Sequence, residues 1–361
     1  MSLMSIATFT QCGKDDAGAP DPTNLTVTTT VKPDGSGDVD IIADAENTKY
    51  FKFLFGDVSG ELPTEMTFGS VTHNYKESGT YTITVQAHAS ETKFISATKS
   101  VSVQIFIPIP TTGYTTPASY VGMNSIWSDE FAGTTVDEGK WTFELGDGCP
   151  NVCNWGNNEL QYYQKENATI KEGNLIIEAR TQVAGGKSYT SSRMITKNSL
   201  NFKYGRVDVR AALPKGQGMW PGIWMLGSNI STVGWPACGE VDIMEMIGGS
   251  GREKTVHGTA HWDNAGSTAD YGQSYSLTSG IFNDKFHVFT IIWDQDKIQW
   301  FVDDVKFNEI NIQPSGLSEF RESFFLILNL AVGGNWPGSP DSSTKFPQWL
   351  IVDYVRVFQN P

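Results

Sequence analysis

The chain has 361 residues, of which 39% are hydrophobic and 18% charged, and its formal net charge is −14. The length suits two domains with sizeable cores. The acidic balance argues against nucleic acid or an anionic membrane as a partner, because both are bound through clusters of Lys and Arg. No apolar run reaches the roughly 20 residues that cross a bilayer. We expect a soluble secreted protein that charge repulsion keeps monomeric.

Residues 1–22 are predicted to be a leader. A short apolar stretch precedes Cys12, and Lys14 and two acids follow it. This order resembles the end of a bacterial lipoprotein signal, in which the cysteine carries the lipid. The resemblance implies a lipid anchor at Cys12 and a secreted or cell-surface location, with the outer membrane as the expected site. The alternative is a plain disordered leader.

Residues 23–108 contain short strands in which every second residue is apolar, with Gly and Asp clustered between them. Several such strands within about 85 residues are typical of an immunoglobulin-like β-sandwich. The segments FGD, HNY and GTYTITV resemble those of a polycystic-kidney-disease (PKD) repeat. We therefore predict a PKD-type sandwich for this domain.

A Pro- and Thr-rich segment, residues 109–120, is predicted to be a linker. Residues 121–361 again predict strands, many of them rich in aromatic residues, and show no long helical period. A single sandwich of about 240 residues fits the upper range for all-β domains. Cys149 and Cys153 lie in a turn-rich loop whose spacing allows a small disulfide. We interpret Cys238 as a packed thiol.

Three acids, Glu240, Asp242 and Glu245, interrupt the apolar segment GEVDIMEMIG. In a regular strand Glu240 and Asp242 share a face, and Met244 rather than Glu245 would join them. A β-bulge at Ile243-Met244 would return Glu245 to that face, and bulges are frequent beside active sites. We predict that the bulge leaves the carboxylates of Glu240 and Glu245 about 5 Å apart.

Two carboxylates at that separation are typical of retaining glycoside hydrolysis, in which one attacks the sugar and the other protonates the leaving oxygen. Repulsion between such close charges raises the pKa of at least one of them, as a general acid requires near neutral pH. The alternative is an exposed acidic face on an edge strand, which would bear the cost of that repulsion.

The acidic segment resembles the signature of glycoside hydrolase family 16, which reads Glu, any residue, Asp, two apolar residues, Glu. The resemblance extends from about Trp127 to Phe358 through GNNELQYY, YGRVDVRAALPKGQGMWPGIWMLG, TVHGTAHW and WLIVDYVRVFQ. It implies a concanavalin A-like β-jelly-roll with a concave catalytic cleft. It also implies that Glu240 is the nucleophile, Asp242 its helper and Glu245 the acid/base. The bulged spacing resembles that of the laminarinase-like branch.

Substrate-binding residues follow from the same resemblance and from the tendency of sugar C–H faces to lie on aromatic rings. They are Trp220, Trp224, Trp235, His261, Asn158, Arg193 and Trp336. Each has a structural alternative, namely a packed Trp, a satisfied His or an ion-paired Arg. His257 shares its strand face with His261. Glu159, beside Asn158, fits a fixed structural acid as well as a residue that contacts the sugar.

Catalysis is expected to need no cofactor. Many relatives in the family carry one structural Ca²⁺, and the matching positions here are Glu130, Gly173 and Asp353. A ligand set made only of oxygen suits Ca²⁺, and its effect would be on stability. The alternative for Asp353 is a half-buried strand acid.

The function that the resemblance implies is retaining endo-β-1,3-glucanase activity on the polysaccharides of laminarin type. Mixed-linkage β-1,3-1,4-glucan, or a marine galactan such as agar or carrageenan, would be cleaved by the same chemistry. A different class of function is a non-catalytic β-glucan-binding protein, although a pure binder has no need of two close carboxylates. The PKD-like domain shows no evident aromatic platform, so we expect a spacer rather than a weak glycan binder.

Overall fold

The computed structural model describes residues 20–32, 35, 37–75 and 78–361. Cys12 and the rest of the predicted leader up to residue 19 lie outside the described residues. The chain divides into two compact units, Met1–Pro108 and Ile109–Pro361. Within the described ranges, no helix has the length and apolar character needed to span a membrane.

The described residues of the first unit form seven antiparallel strands. They are β1 (Thr23–Val31), β2 (Asp38–Glu46), β3 (Tyr50–Leu54), β4 (Thr64–Met66), β5 (Ser70–Asn74), β6 (Gly79–His88) and β7 (Phe94–Val103). One sheet has the order β1-β2-β5 and the other β4-β3-β6-β7. Alternate residues such as Ile41 on β2 and Ile83 on β6 are fully buried in a shared core. The two sheets are consistent with a β-sandwich, and the PKD-type assignment stays a prediction.

The second unit contains the remaining strands and one helical turn. They are β8 (Asn124–Asp129), β9 (Thr142–Phe143), β10 (Gln161–Tyr163), β11 (Ala168–Lys171), β12 (Asn174–Ala184), β13 (Lys187–Ser191), β14 (Arg193–Ile195), β15 (Gly205–Ala212), β16 (Met219–Gly227), α1 (Ile230–Val233), β17 (Glu240–Glu245), β18 (Thr255–Asn264), β19 (Ser267–Ser276), β20 (His287–Trp293), β21 (Lys297–Val302), β22 (Val305–Asn311), β23 (Phe324–Val332) and β24 (Gln348–Gln359). Short 3₁₀ helices span Cys153–Gly156, Lys165–Asn167 and Ser315–Arg321.

Two large sheets form this unit. The ten-stranded sheet has the path β10-β13-β12-β24-β15-β20-β21-β22, with β11 paired to β12 and β8 to β24. The seven-stranded sheet has the order β19-β18-β17-β16-β23-β14-β9. Side chains from both, such as Val209 and Val355 on the first and Met225 and Leu328 on the second, share one buried core. The predicted all-β fold is confirmed.

The segment predicted to be a linker packs on this second unit. The hydroxyl of Tyr354 accepts a hydrogen bond of 2.8 Å from the backbone N–H of Thr116, which is buried. Tyr120 donates its hydroxyl to Asp208 over 2.7 Å. Residues 116–120 are therefore part of the folded unit rather than a free connection.

Candidate active site

The three acids lie on β17, in the middle of the seven-stranded sheet. Against β18, Asp242 pairs with Thr259 and Glu245 pairs with His257, so three steps along β17 correspond to two along β18. A strand that carries one more residue than its partner contains a β-bulge. The predicted bulge is therefore confirmed on this side of the strand.

Pairing with β16 identifies the surplus residue. Trp224 pairs with Asp242 and Ile223 pairs with Met244, which leaves Ile243 unpaired. Both Ile243 and Met244 are buried in the hydrophobic core. Because two consecutive apolar side chains turn inward, Glu245 returns to the face that carries Asp242.

Glu240 and Asp242 form a tight group with His261 from β18. One ligand atom from each of the three lies within 4.8 Å of the others. The Nε2 atom of His261 is 3.1 Å from Oδ2 of Asp242 and 3.8 Å from Oε1 of Glu240. His261 thus lies beside the acids, and its role in substrate binding, which the family resemblance implies, stays a prediction.

Burial is the largest cause of the raised pKa values in this group. It raises the pKa of both Glu240 and Asp242, and the charge of Asp242 raises that of Glu240 further. The charge of His261 and a hydrogen bond of 3.1 Å from the indole N–H of Trp235 oppose the rise at Glu240. Two acids so close together titrate as a pair and hold at least one proton into the neutral range.

Glu245 accepts a hydrogen bond of 2.9 Å at Oε1 from the indole N–H of Trp220. Burial raises the pKa of Glu245 to about 8, and the charge of Asp242 adds to the rise, whereas the Trp220 bond lowers it. A carboxyl group with this pKa carries a proton at neutral pH, as a general acid must.

An aromatic wall lies beside Glu245 and consists of Trp220, His257 and Trp336. The ring of Trp336 makes edge-to-face contacts with Trp220, at a centroid distance of 5.8 Å, and with His257, at 4.9 Å. Trp336 is 40% exposed although it is a large hydrophobic residue. With Thr259 and polar residues of β19 it lines an open groove of about 340 Å³. The groove is of a size that suits a small ligand or one part of a chain.

Arg193 lies between two indole rings. Its guanidinium carbon is 4.8 Å from the ring centre of Trp224 and 4.5 Å from that of Trp155. Its Nε also donates to Glu144 over 2.5 Å. Arg193 therefore makes the structural ion pair that was its alternative interpretation and also contacts the predicted Trp224 platform.

Trp155 and Glu144 were not predicted to belong to this region. Trp155 lies two residues after Cys153, whose disulfide with Cys149 is formed. The NWG sequence after that cysteine was the available signal for an aromatic residue held in a loop. Cys238, by contrast, is fully buried and unpaired, which agrees with a packed thiol.

Asn158 lies close to the aromatic wall. Its side-chain amide donates to Oδ1 of Asn335 over 2.8 Å, and Asn335 directly precedes Trp336. The neighbouring Glu159 is buried and accepts hydrogen bonds from Gln161 and Tyr163. All the predicted substrate-binding residues thus lie in the second unit, and their roles in binding stay predictions.

The carboxylates predicted to bind Ca²⁺ have other partners. Glu130 accepts two bonds, of 2.8 and 2.7 Å, from Arg356, and Asp353 accepts one of 2.7 Å from Arg210. Arg356 therefore occupies both carboxylate oxygens of Glu130, whereas Arg210 contacts only Oδ2 of Asp353. The predicted site uses backbone carbonyls and one carboxylate, and of the two side chains only that of Asp353 fits this role. Gly173 has only its backbone carbonyl to offer. The calcium site stays a prediction that would depend on backbone oxygens.

A sequence model of the family described as Glycosyl hydrolases family 16 matches residues 151–355, more than half of the chain. The β-glucanase of Rhodothermus marinus is 40% identical over 65% of this chain and 84% of its own length. The solved catalytic domain of an endo-1,3-β-glucanase (laminarinase) from Thermotoga petrophila is 44% identical, covering 66% of this chain and 98% of that one, with a TM-score of 0.61.

A longer relative shares the same region. The clotting factor G alpha subunit of Tachypleus tridentatus is 39% identical over 65% of this chain. The chain spans 34% of the length of that relative.

Proposed function

The chain belongs to family 16 of the glycosyl hydrolases, and from that premise we propose that it is a retaining endo-β-1,3-glucanase acting on laminarin-type β-glucans. The observation that carries the proposal is the bulge in β17, which keeps Glu240, Asp242 and Glu245 on one face of the sheet. The similarity of the chain to the endo-1,3-β-glucanase (laminarinase) of Thermotoga petrophila supports the β-1,3 linkage.

The first half of the reaction uses the two glutamates in opposite protonation states. Neutral Glu245 donates its proton to the glycosidic oxygen, and ionised Glu240 attacks the anomeric carbon. The bond between that carbon and the glycosidic oxygen breaks, so the leaving sugar departs as an alcohol and a glycosyl-enzyme on Glu240 remains. Asp242 keeps the proton that it shares with Glu240, so that Glu240 can be the ionised member of the pair. Trp235 donates to Glu240 and further favours its charged form.

The second half reverses the role of Glu245. Once it has lost its proton, its carboxylate takes a proton from water, and the water oxygen attacks the anomeric carbon and releases Glu240. Two inversions at one carbon give net retention. A raised pKa suits both halves, since a group near its pKa can donate and accept.

The charges near the acids favour a neutral glucan over a sulfated galactan. Arg193, which contacts Trp224, is already paired with Glu144. A sulfate group would therefore meet the ionised carboxylate of Glu240 without a free cation from Arg193 to offset the repulsion.

The test is hydrolysis of laminarin by the purified chain. We expect release of reducing ends and a β-anomer as the first product in ¹H NMR. Glu240→Gln and Glu245→Gln should each reduce turnover by a factor of about 10³ or more, because each removes a group that acts in the transition state. Glu309→Gln is the matched control, since Glu309 lies on β22 with Lys306 as its partner.

Other substrates and the non-catalytic alternative give different outcomes. Faster release of reducing ends from mixed-linkage glucan, agar or carrageenan would identify that polysaccharide as the substrate, and the proposed mechanism would be unchanged. Binding of laminarin without any release by the wild type would establish the glucan-binding function instead.

A secreted or cell-surface location is part of the proposal. Its support is the Cys149–Cys153 disulfide, since such bonds persist mainly in oxidising compartments. Fractionation of cells that express the full chain would test it, and recovery in the cytosol would contradict it. The lipid anchor at Cys12, the spacer role of the first unit and the monomeric state stay predictions.

A further inference from the structure

Glu159 is a buried acid that the proposed reaction does not use. It is 5% exposed, and its Oε2 accepts hydrogen bonds from the side-chain amide of Gln161, at 2.6 Å, and from the hydroxyl of Tyr163, at 3.3 Å. Burying a carboxylate is costly unless donors surround it. A buried carboxylate with these donors fixes the orientation of the groups that bond to it.

A continuous chain of hydrogen bonds leads from Glu159 to the cleft. The hydroxyl of Tyr163 accepts a bond of 3.1 Å from the side-chain amide of Asn329. The Oδ1 atom of the same Asn329 accepts a bond of 2.7 Å from the indole N–H of Trp224. Tyr163 is fully buried and Asn329 nearly so, so water does not compete for these bonds.

The indole end of the chain fixes its direction. An indole N–H only donates, so the amide of Asn329 has its oxygen towards Trp224 and its nitrogen towards Tyr163. The hydroxyl oxygen of Tyr163 accepts from that nitrogen, and its proton is directed to Glu159. Burial raises the pKa of Glu159, whereas the bond from Gln161 and the charge of Arg193 favour its ionised form.

The face of the same indole is also held. The guanidinium group of Arg193 lies 4.8 Å from its ring centre, and Arg193 is itself fixed by Glu144. The negative charge of Glu159 interacts favourably with Arg193 and lies within the same group. The hydrogen bond from the indole N–H to Asn329 and the guanidinium group over the ring face together fix the orientation of Trp224.

We propose that Glu159 is a positioning residue: through Tyr163 and Asn329 it fixes the indole plane of Trp224 as a rigid platform for a glucosyl unit. This rests on the proposed function, because the platform serves substrate binding rather than the chemical step. Pre-organising an aromatic surface improves affinity by removing the entropy cost of ordering it at binding.

Tyr163→Phe is the most informative change, since it keeps the buried ring and breaks the chain in the middle. We expect KM for laminarin to rise about five- to tenfold with kcat within about twofold, the pattern for lost uniform binding. Trp224→Phe should raise KM too, and the double variant should be no worse than Trp224→Phe alone. Tyr120→Phe is the control, because it loses a bond of the same kind, from a tyrosine hydroxyl to the buried carboxylate of Asp208.

A measurement that needs no substrate accompanies the kinetics. The indole ¹H–¹⁵N signal of Trp224, assigned from its loss in Trp224→Phe, should shift in Tyr163→Phe and in Glu159→Gln but not in Tyr120→Phe. An unmoved signal, or an equal rise of KM from Tyr163→Phe in the Trp224→Phe background, would overturn the proposal. Wild type that leaves laminarin intact would reject the proposed function, and the indole signal would still decide the positioning role.

Discussion

Trp220 donates its indole N–H to Oε1 of Glu245 over 2.9 Å, and this bond lowers the pKa that burial has raised. Removing the donor in Trp220→Phe should therefore raise the pKa of Glu245. We expect the alkaline limb of the kcat/KM profile to move up by about one to two pH units, the effect of one hydrogen bond to a charged group.

Trp235→Phe is the contrasting variant for this pH profile. Trp235 donates to Glu240, the proposed nucleophile, which must be ionised to act. Losing that donor should move the acid limb upward and leave the alkaline limb in place. The same limb moving in both variants would contradict the separate roles of the two glutamates.

Azide should distinguish the nucleophile from the acid/base. In Glu245→Ala the glycosyl-enzyme still forms from an aryl β-glucoside with a good leaving group, and azide attacks it to give a β-glucosyl azide. In Glu240→Ala, azide takes the place of the missing carboxylate and gives the α-anomer. ¹H NMR of the product reports the anomer, and exchanged anomers would reverse the two assignments.

The acids should make stability depend on pH. Each has a higher pKa in the folded protein than in the unfolded chain, so the folded state binds more protons above about pH 4.5. Stability from this source is complete below that pH and is lost as the pH rises through about 8, the pKa of Glu245. We expect Tm to fall over this range.

A triple variant isolates the contribution of the acids. Glu240→Gln, Asp242→Asn and Glu245→Gln together keep the shapes and remove the charges. Calorimetry should give a Tm above that of the wild type at pH 8, with the difference shrinking towards pH 4.5. A difference that stays constant with pH would show that these groups titrate normally in the folded protein.

Local pattern explains why the acidic triad could be predicted. Alternation and one surplus residue are properties of a six-residue strand, so Glu240, Asp242 and Glu245 could be placed together from sequence. The chain of hydrogen bonds that holds Trp224 could not be predicted in this way. Tyr163 and Asn329 are 166 residues apart, and their bond depends on the pairing of distant strands. An Asn inside the apolar run LILNLAV was the one visible signal.

The same limit applies to the partners of charged side chains. Glu130 and Arg356 are 226 residues apart, and nothing local in SDEF shows that the carboxylate has an arginine partner. A charged residue in the sequence looks available, although in the folded chain a distant residue of opposite charge can be paired with it.

Gly222 lies so close to Asn329 and Trp224 that there is no room for a side chain at this position. A Cβ there would be 2.8 Å from Oδ1 of Asn329 and 3.2 Å from Cδ1 of Trp224. Gly222→Ala should displace the indole and raise KM for laminarin about fivefold or more. Gly316→Ala is the matched control, since nothing lies within 4 Å of its added Cβ. Equal KM values for both variants would mean that Asn329 yields without moving Trp224.

The Cys149–Cys153 disulfide closes a short loop just before Trp155, whose ring contacts Arg193 at 4.5 Å. Replacing both cysteines by serine should lower the free energy of unfolding by only about 2 kcal/mol, because so short a loop loses little entropy when closed. The larger effect should be a rise in KM, since Trp155 would no longer hold Arg193 against Trp224. Urea denaturation and laminarin kinetics would measure the two effects. Reduction of the wild type with dithiothreitol should reproduce both, and lost stability with unchanged KM would show that Trp155 is held without the disulfide.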